Sequence, residues 1–342
     1  MIASSGLVNI ISHTDLDGVV AAALAWYANS PSGPVKISLT GYGEVDNLIL
    51  EGLRRRDTVI AMDLSPQFQN TIDEIDRCFG GAEPFLFDHH QSAYEKIGGR
   101  PWAVVNTKRC GAAVYWDWLA NNAPESTKRL VAPLSGFVEV ANDRDLWINE
   151  NPNGRLWQAM VTLCGEWSAL ARIITNPGVT FTEAERAIVV KFVAAQEERF
   201  KAARENISRK KIRGAGGSEM AFLGDGFLEF GDTSDFCGAL LDRHEGPGAA
   251  PALVALSFRR PSGTWSVSLR SRGGLAGRAV ALLKDGRKIR GGGHEDAAAL
   301  YFPASYDEKS IKDTILSALE TNSENQAGMG VTLGDLLKGA GL

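Results

Sequence analysis

The first ninety residues alternate short apolar runs with longer amphipathic ones, which leaves few folds open. Runs at 7–11, 35–39, 58–62 and 84–87 read as strands, and helix-like stretches at 18–29, 44–55 and 66–79 separate them. Strand and helix in strict succession predict an α/β fold, a parallel sheet with helices on both faces. Further helices are expected near 110–121, 126–141 and through 151–200. The last of these ends in a charged run, 181–213, where Ile188, Phe192, Ala195 and Phe200 recur at helical spacing among Glu, Lys and Arg. That pattern reads as a long connecting helix. Composition shifts at Gly214-Ala215-Gly216-Gly217, and strand candidates follow at 220–223, 252–258 and 264–269. The expected organisation is a first domain over 1–180, a connecting helix and linker over 181–213, a smaller α/β domain over 214–320, and a tail over 321–342. A chain of 342 residues has room for two such cores.

Charge narrows the function. The formal net charge of −5 argues against a protein that coats long duplex nucleic acid through basicity, though local arginines suffice to hold a small anion. No apolar run approaches a membrane span. The start of the chain carries no basic stretch ahead of an apolar core, so no signal peptide is expected. Cys78, Cys110, Cys164 and Cys237 are scattered and read as reduced thiols, which makes the cytoplasm the expected location.

Three polar clusters fall just past predicted strands: His13, Asp15 and Asp17 in SHTDLDG, Asp63 in AMDLS, and Asp88-His89-His90. Parallel strands end along one edge, where ligands bind, so clusters distant in sequence converge there. His13, Asp15 and Asp17 are spaced by two, which on an extended backbone points them to one side; a helix would turn them about 200° per step. A lone acid after a strand commonly caps a helix. Several carboxylates at one edge repel unless a cation neutralises them, and so many suggest two cations. Oxygen and nitrogen ligands without thiolate suit manganese, with Mg2+, Co2+ or Fe2+ as substitutes. ANDRDLW offers Asp143 and Asp145 to complete the set; Asp145 reads equally as a turn acid or a partner of Arg144. His244 reads as a solvated turn residue. A second constellation lies in VSLRSRGG and GGGHEDAAA. There Arg270 on a strand edge, with Gly292, Gly293 and His294 ahead of an alanine run read as a helix start, suits a phosphate.

In this order, SHTDLDG, AMDLS, DHH, ANDRDLW, the arginine strand and GGGHEDAAA resemble the DHH phosphoesterase family with its associated C-terminal substrate-binding domain. The resemblance covers nearly the whole chain. It implies a manganese-dependent phosphodiesterase or phosphatase, in a family that includes RecJ-type exonucleases, nano-RNases and enzymes acting on cyclic dinucleotides. By motif it implies one metal held by His13, Asp15 and Asp63, and another by Asp17, Asp63, His89 and Asp143, with Asp63 bridging. Asp88 would orient a ligating imidazole, and His90 would face the scissile phosphate. Arg270, Gly292, Gly293 and His294 would hold the substrate's terminal phosphate. Two departures stand out: Leu300 follows the alanines where the family has glycine, and the fourth motif reads NDRDLW rather than Asp-Thr-Gly.

The expected function is hydrolysis of short oligonucleotides, linear dinucleotides or small nucleotide phosphates by a hydroxide activated between two metals. A processive single-strand 5′-exonuclease ranks lower, because nothing after residue 320 resembles an added OB-fold. A pyrophosphate or polyphosphate hydrolase and a non-catalytic nucleotide sensor are the other readings; a homodimer is left open. A dehydrogenase-type nucleotide fold is rejected, since His-x-Asp-x-Asp stands where G-x-G-x-x-G would cradle a pyrophosphate.

Overall fold

In a computed structural model of the protein the described residues are 6–81, 83–148, 150–213, 218–241, 250–284, 288–293 and 295–328. The chain divides into two compact units, Met1–Val193 and Ala194–Leu342. The division falls within one long helix.

The first unit follows the alternation of its sequence: β1 (Val8–Ser12), α1 (Leu16–Asn29), β2 (Val35–Leu39), α2 (Val45–Arg55), β3 (Thr58–Met62), α3 (Gln69–Cys78), β4 (Leu86–Asp88), α4 (Gln91–Ile97) and β5 (Ala103–Val105). The five strands are parallel in the order β2-β1-β3-β4-β5. Successive side chains of a strand face opposite ways, and both faces here are apolar. Ile10, Ile60, Met62 and Phe87 enter one core with α1, while Ile11, Val59, Ala61 and Leu86 enter another with Val45 and Ile49 of α2 and Ile72 and Ile75 of α3. A sheet buried on both faces needs near-continuous apolar strands, which is what these runs are. Residues Leu16 through Ala25 of α1 are all buried. Against α1 packs a helical layer of α5 (Gly111–Asn122), α6 (Glu125–Val131), α7 (Ser135–Asp145), α8 (Pro152–Cys164) and α9 (Glu166–Thr175). The long helix α10 (Glu183–Glu205) contributes Val189 to the same core.

The second unit holds β6 (Ser208–Lys211), β7 (Glu219–Leu223), α11 (Thr233–Leu241), β8 (Leu253–Arg259), β9 (Trp265–Ser271), α12 (Leu275–Leu283), β10 (Arg290–Gly293), β11 (Ala297–Phe302) and α13 (Glu308–Gly328). Its six-stranded sheet runs β10-β11-β9-β8-β7-β6, antiparallel throughout except for β7 with β8. One face packs Phe222, Leu253, Val267 and Leu300 against α12 and against Ile311 and Ile315 of α13. The other packs Ala221, Leu223, Val254 and Leu256 against Phe200 of α10 and Phe236 of α11. Strand β6 occupies part of the stretch read as linker, and α13 runs into the stretch read as tail.

One expectation is overturned here. The alanine run after the glycines is strand β11, not the start of a helix. Ala298, Leu300 and Phe302 are buried and alternate with more exposed neighbours. That period of two carries the strand, and β11 is fixed between β9 and β10.

The buried Asp232 ties α10 to the turn before α11. Arg199 donates to both of its oxygens, from Nε at 2.8 Å and Nη2 at 3.0 Å, and Gln196 adds a third bond at 3.0 Å. Burial works against the carboxylate, but the Arg199 and Gln196 bonds hold its pKa below the ordinary value. Asp232→Ala is expected to lower stability in urea titration by about 2 kcal/mol near neutral pH, the worth of bonds to a charged group. Because the folded-state pKa is depressed, that contribution is present above the ordinary carboxylate pKa of roughly 4 and fades as pH falls through the folded value. The difference between wild type and variant should shrink accordingly below about pH 4.

Candidate metal centre

The parallel strands of the first unit end at one level, since Ser12 pairs with Leu39 and Met62, and Met62 with Phe87. The residues that follow each strand therefore meet: His13 after β1, Asp63 after β3, and Asp88, His89 and His90 at the end of β4. His13 Nδ1 lies 2.9 Å from Asp15 Oδ2 and 3.7 Å from Asp63 Oδ2. His89 Nε2 lies 3.2 Å from Asp63 Oδ1, 3.4 Å from Asp145 Oδ2 and 3.9 Å from Asp17 Oδ2. Three overlapping sets with metal-ligand spacing result, His13-Asp15-Asp63, Asp17-His89-Asp145 and Asp63-Asp88-His89-His90. The two oxygens of Asp63 face different sets.

Local chemistry explains how each group arrives. Asp15 caps α1, its Oδ1 accepting from the Gly18 N–H at 3.1 Å. The extended backbone expected through Asp17 stops at Asp15, and Asp17 sits in the first turn of α1. Helical rotation turns Asp17 away from Asp15 and toward the N-terminus of α5. There it accepts from the N–H groups of Gly111 at 2.6 Å and Ala112 at 2.8 Å. Gly18 admits no side chain, because a Cβ would lie 2.4 Å from the His13 carbonyl oxygen. Asp63 has φ +56°, a left-handed conformation that Asp tolerates better than most residues. Its N–H donates to the Phe87 carbonyl at 2.9 Å, which locks the turn to β4.

The fourth motif requires a correction. The structure brings Asp145, not Asp143, to the cluster. Residues 142–145 lie on α7, where a step of two rotates a side chain by about 200°. Asp143 Oδ1 instead accepts from the Glu150 N–H at 2.9 Å, and its Oδ2 lies beside Gly154. Asn142 accepts from the Cys110 N–H at 3.1 Å, and Arg144 stacks over Trp147 at 4.3 Å. The imidazole that Asp88 holds is that of His90; both His89 and His90 belong to a set with ligand spacing around Asp63 and Asp88. His90 Nδ1 lies 2.7 Å from Asp88 Oδ1, which also accepts from the His89 N–H. Sequence reasoning missed Tyr42, whose Oη lies 3.2 Å from His90 Nε2. It follows the end of β2 by three residues, so the rule that found the other groups also reaches it.

Charge at this edge is crowded. Burial, and then the Asp17, Asp15, Asp145 and Asp88 carboxylates, push Asp63 well above the usual range. Burial, Asp17 and Asp15 do the same to Asp145. Asp17 is raised by burial and Asp15, although His89 pulls it back. For Asp15 burial is outweighed by the charge and hydrogen bond of His13, which hold it below the usual value and raise His13 in return. Burial keeps His89 below its ordinary value. Asp63 Oδ2, Asp88 Oδ2, Asp145 Oδ2 and His89 Nε2 are buried without a hydrogen-bond partner among the described residues. Buried acceptors in such numbers need a partner, and hard divalent cations fit this donor set.

In the second unit, register places Arg270 and Gly292 on one sheet face, since Arg270 pairs with Ala297 and Gly292 with Ala299. Burial lowers the Arg270 pKa, and its Nη1 donates to the Leu269 carbonyl at 3.0 Å. Gly293 has φ +133° and a Cβ there would lie 2.5 Å from Ala298 Cα, whereas a Cβ on Gly292 would meet nothing within 4 Å. Asp296 Oδ1 accepts from Ser271 Oγ and the Gly274 N–H, both at 2.7 Å, pinning the strand to the turn before α12. His294 and His244 lie outside the described residues.

No protein-family model and no curated protein matches this chain. Solved structures do. The exonuclease RecJ bound to manganese aligns with a TM-score of 0.57 at 16% identity, over 93% of this chain and 90% of that one. RecJ from Thermus thermophilus in complex with Mn2+ gives 0.55 at 16% identity, over 93% of this chain and 52% of that one. The pGpG-specific phosphodiesterase PggH from Vibrio cholerae gives 0.50 at 12% identity, over 92% and 99%. The fold is thus the two-domain fold shared with these RecJ and PggH structures. No described helix is long and apolar enough to cross a membrane.

Two measurements check the centre. Asp145→Asn is expected to weaken Mn2+ binding at least tenfold in calorimetry, while Asp143→Asn leaves it within about threefold and lowers the melting temperature instead. Asp63→Asn keeps a residue that tolerates positive φ and removes one crowded charge. In EDTA it should melt several degrees above wild type, since about 1 kcal/mol corresponds to roughly 2–4 °C at this domain size. It should gain less from added Mn2+ than wild type does.

Proposed function

We propose that the protein is a divalent-metal-dependent phosphoesterase acting on short oligonucleotides, linear dinucleotides or small nucleotide phosphates, with manganese as the expected ion. The observation that carries this reading is Asp63, one oxygen toward His13 and the other toward Asp145's partner His89, in a buried edge whose acceptors lack partners among the described residues. His13, Asp15 and Asp63 would hold one cation, and Asp63, Asp17, His89 and Asp145 the other. Bound there, two divalent cations supply a nucleophile at neutral pH and offset charge on the phosphoryl oxygens. That a RecJ with manganese and a pGpG phosphodiesterase share the fold supports the reading.

The protein's own groups then have distinct tasks. The N-terminus of α5 fixes Asp17 through two backbone N–H donors, so that ligand cannot swing out. His90 is held at both ring nitrogens, by Asp88 and by Tyr42. Burial alone would lower its pKa, but the Asp88 bond and charge raise it, favouring the imidazolium. Backed by Asp88 at Nδ1, His90 would donate to a phosphoryl oxygen from Nε2 once substrate displaces the Tyr42 hydroxyl that holds that nitrogen here. Tyr42 is a positioning residue that sets the ring plane. In the second unit Arg270, the open backbone at Gly292 and the neighbouring Gly293 would take the terminal phosphate, with His294 the remaining member of that motif.

The test is hydrolysis of pApA, pGpG and phosphoadenosine phosphate in Mn2+. Turnover of at least one is expected, and turnover of none by protein shown to hold metal would overturn the reading. Tyr42→Phe should lower kcat/KM about tenfold, from loss of one bond to a charged group worth about 1.5 kcal/mol. His90→Ala should cost at least a further tenfold.

A further inference from the structure

The start of α5 joins the two helices that carry Asp17 and Asp145. A helix leaves its first N–H groups without partners in its own backbone, so acceptors from elsewhere must take them. Here three successive N–H groups go to side chains distant in sequence. Gly111 donates to Asp17 Oδ2 at 2.6 Å, Ala112 to Asp17 Oδ1 at 2.8 Å, and Cys110 to Asn142 Oδ1 at 3.1 Å. Cys110 stands at the N-cap and its side chain makes no capping bond to the backbone, so α7 supplies the acceptor at that end. Asp17 belongs to α1 and Asn142 to α7; both helices are tied to one turn of a third.

Asn142 belongs to none of the ligand sets, yet it is coupled to one of them along α7. Asn142 and Asp145 are three residues apart, neighbours on one side of the helix, and Asp145 Oδ2 lies 3.4 Å from His89 Nε2. The bond to Cys110 therefore fixes the rotation of α7 about one turn ahead of the ligand. At the other end of the link the fit is tight. A Cβ on Gly111 would lie 2.8 Å from Asp63 Cβ and 3.1 Å from Asp17 Oδ2, so a shift of α5 reaches Asp17 directly. His13 and Asp15 are held by other means, since Asp15 caps α1 through the Gly18 N–H and lies 2.9 Å from His13 Nδ1. Asn142 also lines a groove of about 400 Å³ with Ser135, Val138 and Asp143, which leaves room beside its amide.

We propose that Asn142 is a positioning residue for the cation held by Asp17, His89 and Asp145. By accepting the Cys110 N–H it locks the start of α5 against α7, and so sets the spacing at which Asp17 and Asp145 face His89. A group that orients ligands without touching the ion commonly accounts for about 10–100-fold in metal affinity. This gives the Asn of ANDRDLW a task that the ligand roles leave open. The inference rests on the two-cation centre of the phosphoesterase reading above and adds what keeps one of its two sites in shape.

The test counts Mn2+ bound per full-length chain by equilibrium dialysis, in wild type, Asn142→Ala, Asn142→Leu, Asn142→Asp and Ser135→Ala. Wild type should hold two ions. At the free Mn2+ that fills both, Asn142→Ala should hold one: one site loses at least tenfold in affinity and the other stays within about threefold of wild type. Asn142→Leu keeps the bulk and removes the acceptor; it should match the alanine variant, and it carries the test if that variant does not fold. Asn142→Asp keeps an oxygen for the Cys110 N–H, with the groove beside it for the other, and should hold two ions. Ser135→Ala alters the same groove away from the Cys110 bond and should also hold two. In pApA hydrolysis, raising Mn2+ should bring the Asn142→Ala rate to within about threefold of wild type, which damage to the fold alone would not allow. Wild-type binding by the alanine and leucine variants, equal losses at both sites, or an Asn142→Asp that folds but holds one ion would each overturn the role. If wild type cleaves pApA and the variants bind Mn2+ as it does, only the role falls. If wild type holds two ions and cleaves none of the proposed substrates, the phosphoesterase reading falls, and the dialysis still decides the role.

Discussion

A single buried carboxylate, Asp63, organises the first unit's functional edge. It sits immediately after β3, next to β1 in the sheet and adjacent to β4 on the other side. Its left-handed backbone turns the side chain back over the strand ends, and the bond from its N–H to Phe87 fixes that turn to the strand bearing Asp88. The fit is close: a Cβ on Gly111 would come within 2.8 Å of Asp63 Cβ. A residue that bridges two ligand sets must be both buried and immobile, and these contacts make it so.

The cost of the arrangement is electrostatic. Five aspartates share one edge, and three of them are pushed toward neutrality by burial and by each other. Helix termini relieve part of this, since α5 donates two N–H groups to Asp17 and α1 donates one to Asp15. The histidines relieve another part, His13 beside Asp15 and His90 beside Asp88. What remains is a set of buried atoms with no partner among the described residues, the condition in which binding a cation and stabilising the fold become the same event.

The second unit solves a different problem with plainer chemistry. Its sheet buries both faces at β7 and β8, but toward β9, β11 and β10 one face carries serine, alanine, glycine, arginine and tyrosine instead of a core. Small side chains there leave the backbone approachable, and the acid of the glycine motif, Asp296, is spent on holding the strand to its neighbour.

How much of this was legible in the sequence follows from the range of the interactions. Strand–helix alternation pointed to the parallel sheet, because periodicity is a local property of the chain, and the rule that parallel strands end together placed His13, Asp63, His89 and His90 at one edge. The alanine strand was misread, since Ala carries little strand propensity and only pairing with β9 and β10 decides its state. Asp145 rather than Asp143 was decided by the rotation of α7 against the sheet, and the partnership of Asp88 with His90 by which ring nitrogen reaches it. Tyr42 carried no motif and became part of the edge only through the end of β2. Sequence by itself determined which chemistry the chain carries and along which edge; tertiary structure decided which atom of each motif faces it, because helix phase and strand pairing are set by contacts between segments far apart in the chain.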